Sequence, residues 1–219
     1  MDVDLRLYAL IDPEVAGGRT LGDLASRIAA STTLVQLRDK YGSTKTMVEE
    51  ARELTTVLAP LDIPLLINDR VDVALAAEAD GVHIGYDDMS PADARLLLGR
   101  TAIIGLSINS IERAQTAPLD LLDYVGIGGV YGTTSKETTN APIGVEGFRA
   151  IAQIIRARKP GLPICGIAGI NASNAAPVIE AGADGVAVIS ALSLAPDPKQ
   201  AAQDLLGVVD AALARRGKS

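Results

Sequence analysis

The chain has one cysteine, one histidine, no tryptophan, one phenylalanine and five tyrosines in 219 residues. One cysteine excludes an intramolecular disulfide and a cysteine-clustered metal site, and one histidine excludes a His-rich one. So few aromatic rings leave little for base stacking. Basic residues are also in deficit, 20 against 27 acidic, for a net charge of −7. Such a surface repels a continuous phosphate backbone, so nucleic acid is not an expected partner. A small anion stays open, because a local cluster of cations and backbone amides can overrule the global sign. No apolar run approaches the ~20 residues of a membrane span, and MDVDLRL does not read as a signal peptide. The expectation is a cytoplasmic protein of a reducing compartment with no membrane partner.

What is present is a rhythm. Short β-branched runs near Leu7–Ile11, Leu34–Arg38, Leu65–Asn68, Val82–Ile84, Ile103–Ser107, Tyr124–Ile127, Ile164–Ile167 and Val186–Ile189 read as strands. Helical patterns lie between and after them, at Leu21–Ala30, Lys45–Ala59, Val71–Ala77, Pro91–Leu98, Ile111–Gln115, Val145–Ala157, Ala172–Ala181 and Lys199–Ala214. Ser90 with Pro91 and Asp93 is a helix-start signal. The strands lack polar alternation, as strands covered on both faces do. Eight such βα units, with no linker or charge block dividing residues 1–219, predict one α/β domain, a (β/α)8 TIM barrel. Ala79-Asp80-Gly81-Val82 echoes Ala183-Asp184-Gly185-Val186 four units later. The echo fits two similar half-barrels, and it also fits a turn reused by convenience. A doubly wound open sheet is the rival, but G-x-G-x-x-G is absent after the first strand.

In such a barrel, functional groups sit on loops just after strand C-termini, and the polar residues cluster there. Gln36-Leu37-Arg38-Asp39-Lys40 ends the second strand. Alternation sends Gln36, Arg38 and Lys40 to one side, and two cations with an amide suit a diphosphate. The same run also reads as an exposed strand end with solvated charges. Asp69 and Asp88 end neighbouring strands, and two carboxylates without cysteine or histidine favour a hard cation such as Mg²⁺. Taken singly, each also reads as an ordinary helix N-cap. Gly132-Thr133-Thr134-Ser135-Lys136 opens a loop longer than βα connections usually are, with hydroxyls and a lysine suited to phosphate. Gly169 and the pair Ile189-Ser190 follow strands seven and eight, where barrels often hold a phosphate on backbone amides. His83 reads first as a hydrogen-bonded barrel histidine, Cys165 as an inert packed thiol, and Tyr86 and Tyr131 as walls of the site.

QLRDK, NDRVDVALAAEADGVHIG, Ser107, YVGIGGVYGTTSK and GINASNAAPVIEAGADGVAVIS, in this order from about Leu7 to Ala191, resemble the thiamine-phosphate synthase (thiamine-phosphate pyrophosphorylase) family. The resemblance implies a Mg²⁺-dependent transferase. It would join a hydroxymethylpyrimidine diphosphate to a hydroxyethylthiazole phosphate, releasing diphosphate. It implies Gln36, Leu37, Arg38, Asp39, Lys40, Asn68, Ser107 and Lys136 on the pyrimidine diphosphate, with Arg38, Lys40, Lys136 and Ser107 catalytic. Asp69 and Asp88 would be the metal ligands, and Thr133, Thr134, Ser135, Gly169, Ile189 and Ser190 would hold the thiazole phosphate. Three residues depart from the family's usual pattern: Tyr86 for Gln, Gly129 for Pro and Ala168 for the first Gly of GGI.

Two alternatives accompany this reading. A thiazole tautomerase of the same barrel would use a histidine just after the strand-five segment, where Ser107-Ile108-Asn109 offers none. A non-catalytic phosphate-ligand-binding barrel could dispense with the metal ligands and the cations, which this chain keeps. The partners expected are small phosphorylated molecules, with a homo-oligomer left open.

Overall fold

The computed structural model describes residues 3–133 and 141–217. Eight strands run through them: β1 (Leu7–Ile11), β2 (Leu34–Leu37), β3 (Leu65–Asn68), β4 (Gly81–Ile84), β5 (Ile103–Ile108), β6 (Tyr124–Ile127), β7 (Ile164–Ile167) and β8 (Gly185–Val188). They pair in parallel in chain order, and β8 closes onto β1, as in Ala9↔Val188. The helices are α1 (Leu21–Ile28), α2 (Thr44–Leu58), α3 (Val71–Ala77), α4 (Pro91–Leu98), α5 (Ile111–Thr116), α6 (Gly144–Arg158), α7 (Ala175–Glu180), α8 (Ser190–Ser193) and α9 (Pro198–Arg216). The architecture is a (β/α)8 barrel. Among the described residues, no helix is long and apolar enough to cross a membrane.

Alternation along the strands sorts the side chains into two buried layers. Leu7, Val35, Ile67, Val82, Ile104, Val125, Ile164 and Val186 pack outward beneath the helices. Tyr8, Leu34, Leu66, Tyr124, Cys165 and Ala187 fill the barrel interior. With both faces apolar, each strand reads in sequence as an unbroken apolar run. The first turns are capped as their sequences suggest: Ser90 accepts from the Asp93 N–H, and Thr20, Ser43 and Ser110 each accept from the N–H three residues on.

The repeated Ala-Asp-Gly-Val has a local steric and polar cause. The Asp80 carboxylate accepts the Leu65 N–H at 2.8 Å, and Asp184 accepts the Ile164 N–H at 2.9 Å. Asp123, with no glycine after it, does the same for Ile104, so the device is not confined to the four-unit spacing. The glycines admit the neighbouring backbone, since a Cβ at Gly81 would lie 1.9 Å from the Ile103 carbonyl and one at Gly185 1.6 Å from that of Leu5. Gly185→Ala is therefore expected to cost about 1–3 kcal/mol, because main chain rather than a flexible side chain must give way. Urea denaturation checks this; an unchanged midpoint would refute it.

Two elements differ from the sequence reading. The helix after β7 starts at Ala175 instead of residue 172, because the Asn171 and Asn174 side chains accept the N–H groups of Ser173 and Asn171 and hold a turn there. The short α8 follows Ile189, whose φ of −113° and ψ of −83° end the strand one residue before the expected boundary.

Candidate active site

A cavity of about 600 Å³ opens at the C-terminal ends of the strands. Gln36, Arg38, Asn68, Ser107, Thr133, Gly169, Ile189 and Ser190, all named from sequence, line it. Leu37 is 1% exposed and turns outward into the layer under the helices. Asp39 bends back on its own loop, its Oδ1 accepting the N–H groups of Tyr41 (2.9 Å) and Gly42 (2.7 Å). Thr134, Ser135 and Lys136 lie outside the described residues.

Each cation of the second strand end is held by a carboxylate. Arg38 Nη1 donates to Asp12 Oδ2, a pair with side chains 13% and 2% exposed. Asp12 Oδ1 in turn accepts the Glu14 N–H, so this carboxylate is fixed at both oxygens. Lys40 Nζ and Asn68 Nδ2 both donate to Asp69 Oδ2, the latter at 2.7 Å. Asp69 has φ 61°, a left-handed conformation that aspartate tolerates better than most residues, and its N–H binds the His83 carbonyl at 2.8 Å. Asp88 Oδ2 accepts the Gly85 N–H at 2.8 Å. Burial, and then the Asp69 carboxyl facing it, push Asp88 above the usual carboxylate range; the Gly85 N–H and Lys40 pull it back. Thus Asp69 and Asp88 do converge, as two like charges with Lys40 as the cation beside them.

Nearby, burial and then the Asp39 carboxylate push Glu50 from an ordinary value of 4.5 to about 7. Its Oε2 is buried with no hydrogen-bond partner among the described residues. Between those two values the folded chain holds a proton that the unfolded chain has lost, so stability falls as pH rises through this window. Glu50→Gln is expected to remove that slope: the melting temperature of the variant, relative to the parent, should climb from pH 5 to pH 8. A difference that stays constant with pH would mean that Glu50 is not raised.

Gly169, at φ 66°, lets the loops after β6 and β7 touch, since a Cβ there would stand 2.3 Å from the Gly132 carbonyl. Ala168 has φ 84°, a conformation natural to the glycine it replaces. A Cβ at Gly129 would meet the Ala168 Cβ at 3.3 Å, so two of the three unusual residues lie against each other and share one small space. The third, Tyr86, is not a wall of the cavity: its ring lies over the Arg113 guanidinium at 4.2 Å and its hydroxyl reaches Thr116 at 3.3 Å on α5. Tyr131 does line the cavity, its hydroxyl on the Asn174 carbonyl at 3.2 Å.

The floor is polar in a way sequence did not disclose. Gln36 Nε2 donates to the Tyr8 hydroxyl, which lies 2.8 Å from that of Tyr124. Tyr124 is 2.7 Å from His83 Nδ1, and His83 Nε2 is 2.9 Å from Ser107 Oγ. Burial drives both phenols well above their ordinary range and pushes the Cys165 thiol up to about 12, so all three stay protonated. Asp12, Tyr8 and Tyr124 are the site residues that the sequence reading missed. Asp12-Pro13 resembles a plain helix cap, and the two tyrosines sit in β1 and β6, which only barrel closure brings together. At the opposite end, a second cavity of about 600 Å³ is lined by Arg156, Arg216 and Asp184, but both arginines are paired with Asp184. That end is structural in character.

The chain matches the family described as thiamine monophosphate synthase over residues 7–192. It is 45% identical over 215 residues to the thiamine-phosphate synthase of Agrobacterium fabrum, covering 98% of both chains. It is likewise 45% identical over 208 residues to that of Chloroflexus aurantiacus, covering 94% of both. Among solved structures, thiamine phosphate pyrophosphorylase from Pyrococcus furiosus is similar with a TM-score of 0.83 and 34% identity, over 96% of this chain and 98% of that one. 3-Hexulose-6-phosphate synthase, at 19% identity and a TM-score of 0.64 over 93% of this chain and 99% of that one, shares the barrel alone.

Proposed function

The chain belongs to the thiamine monophosphate synthase family, and from that premise we propose that it joins 4-amino-2-methyl-5-hydroxymethylpyrimidine diphosphate to 4-methyl-5-(2-hydroxyethyl)thiazole phosphate, forming thiamine phosphate and releasing diphosphate. The transferase class follows from the family. The choice of substrates and the use of magnesium are our reading. The observation that carries it is that Arg38 lines the cavity while Lys40, from the same strand end, pairs with Asp69, whose carboxyl faces that of Asp88.

Two facing carboxyls, with Lys40 paired to Asp69, suit a hard divalent ion that takes its remaining ligands from water and substrate phosphate. The protein's share of such a site would be Asp69 and Asp88, whose carboxyls face each other. Bound there, Mg²⁺ would neutralise charge on the departing diphosphate.

The chain's own residues then have separate tasks. Arg38, oriented by Asp12, offers its guanidinium fork to a phosphate. Lys40 adds a point charge, and we place Lys136 in the same role. Asn68 and Ser107 hold the pyrimidine portion, while Gln36 faces it from the floor. Thr133, Thr134 and Ser135, with Gly169, Ile189 and Ser190, are assigned to the thiazole phosphate. As the carbon–oxygen bond to diphosphate breaks, the aminopyrimidine stabilises the methylene cation, and the thiazole nitrogen attacks with its lone pair. No side chain need remove a proton; catalysis rests on charge neutralisation and positioning.

Purified protein mixed with both phosphorylated precursors and Mg²⁺ should yield thiamine phosphate, read as fluorescent thiochrome after oxidation, and EDTA should abolish the signal. Folded protein that gives no fluorescence would overturn the proposed substrates, and fluorescence that survives EDTA would overturn the metal.

A further inference from the structure

Asn174 stands immediately before α7, where an asparagine side chain ordinarily accepts a first-turn N–H. Here it caps nothing. Its amide is turned instead onto the loop that joins β7 to α7. Nδ2 donates to the Gly169 carbonyl at 2.9 Å, and Oδ1 accepts the Asn171 N–H at 2.8 Å. One partner is a carbonyl that can only accept and the other an N–H that can only donate, so the orientation of the amide is fixed by both. Tyr131, from the loop after β6, braces the same residue: its hydroxyl donates to the Asn174 carbonyl at 3.2 Å, an acceptor and nothing else.

Holding the Gly169 oxygen fixes more than the oxygen. In a trans peptide the carbonyl and the following N–H point in opposite directions. Gly169 and Ile170 line the cavity and Asn174 is not among the residues that do. A carbonyl drawn toward Asn174 therefore sends the Ile170 N–H the other way, toward the cavity. Neither that N–H nor the one of Gly169 has a hydrogen-bond partner among the described residues. The position has to be glycine, since its φ is 66° and a Cβ would stand 2.8 Å from the Tyr131 Cβ. Glycine, however, accepts either orientation of its peptide at little cost, so a neighbouring group must choose between them.

We propose that Asn174, braced by Tyr131, is a positioning residue that turns the Gly169 peptide so that main-chain N–H groups, and not a carbonyl, meet the phosphate of the second substrate. This rests on the assignment of the thiazole phosphate to Gly169 given above, which includes neither Asn174 nor Tyr131. Without the amide, the Gly169 carbonyl is free to swing into the cavity and set oxygen against oxygen. With it, the anion finds donors already aimed, and N–H bonds to a charged acceptor are stronger than those to a neutral one. The missing cap of α7 has the same explanation, because one side chain cannot serve the helix and the loop together.

Two ligands separate the hold on the phosphate from the hold on the ring: 4-methyl-5-(2-hydroxyethyl)thiazole phosphate and the same thiazole without phosphate. In equilibrium binding, Asn174→Ala should weaken the phosphate ligand about 10-fold and change the alcohol by less than about 2-fold. Tyr131→Phe should act in the same direction, by about 3-fold. In ¹H–¹⁵N spectra of the parent, the Gly169 and Ile170 amides should move when the phosphate ligand is added and stay in place with the alcohol. In Asn174→Ala that response should shrink, and KM should rise for the thiazole phosphate while KM for the pyrimidine diphosphate holds. Equal losses for both ligands would make Asn174 a packing residue and overturn the proposal. So would phosphate binding that survives both substitutions, or parent amides that ignore the phosphate. If Asn174→Ala does not fold, Tyr131→Phe and the parent spectra decide. A parent that binds the phosphate no more tightly than the alcohol would overturn the assignment of Gly169 itself, and the proposal with it. A parent that discriminates, with variants that discriminate equally, would overturn the positioning role alone.

Discussion

Asp88→Asn is expected to lower turnover at limiting Mg²⁺ by about 100-fold or more, while leaving the metal-free protein at least as stable as the parent. The two halves of this expectation have one cause. Burial and the facing Asp69 carboxyl hold Asp88 above its usual range, so the pair is a repulsive arrangement that folding tolerates rather than one that drives it. Asparagine keeps an oxygen that can accept the Gly85 N–H, now bonded at 2.8 Å, and removes the repulsion. What it removes as well is one of the two charges proposed to hold the metal. Initial rates across a magnesium titration, with melting curves recorded in EDTA, separate the effects. Unchanged turnover at limiting magnesium would end the metal assignment. A melting temperature lowered by several degrees would instead make Asp88 a turn-forming residue.

Asp12→Ala should act in the opposite sense on stability. Asp12 is 2% exposed and its partner Arg38 13%, so the mutation strands a guanidinium in a site built for an ion pair. Removing one member of a buried pair costs about 3–5 kcal/mol, because the remaining charge stays desolvated. Turnover should fall about 100-fold too, since the guanidinium proposed to meet the diphosphate would be displaced by an ångström or so. The double variant Asp12→Ala/Arg38→Met is the control: with both charges gone, it should be more stable than Asp12→Ala alone while remaining inactive. Urea denaturation and kcat measured on the parent, Asp12→Ala, Arg38→Met and the double variant decide this. If the two single substitutions simply add, Asp12 and Arg38 do not act as a unit.

These expectations depend on the site to different degrees of sequence legibility. Arg38, Lys40, Asp69 and Asp88 could be named from sequence because each lies within about four residues of the end of an apolar strand run, and in a barrel every such loop lies at the same end. The strand runs were themselves legible to within a residue or two, since β-branched stretches bounded by Gly, Pro and Asp admit few other readings. The Ala-Asp-Gly-Val echo was visible too, but its meaning was not. Only the close backbone approach at Gly81 and Gly185 reveals a local requirement of strand starts.

Residue order alone thus determined the eight βα units, the barrel they close into and the end of the barrel that carries charge. Those depend on periodicity and on local turn chemistry, which act over a few residues. Tertiary structure decided which side chains meet: Asp12 with Arg38 across 26 positions, Tyr8 with Tyr124 across 116, and Tyr86 with Arg113 on α5 instead of with the cavity. It also decided which alternate residues of each strand face inward, because both faces of these strands are apolar and the sequence carries no mark to tell them apart. Barrel closure creates that distinction, and the polar chain through the floor exists only as its consequence.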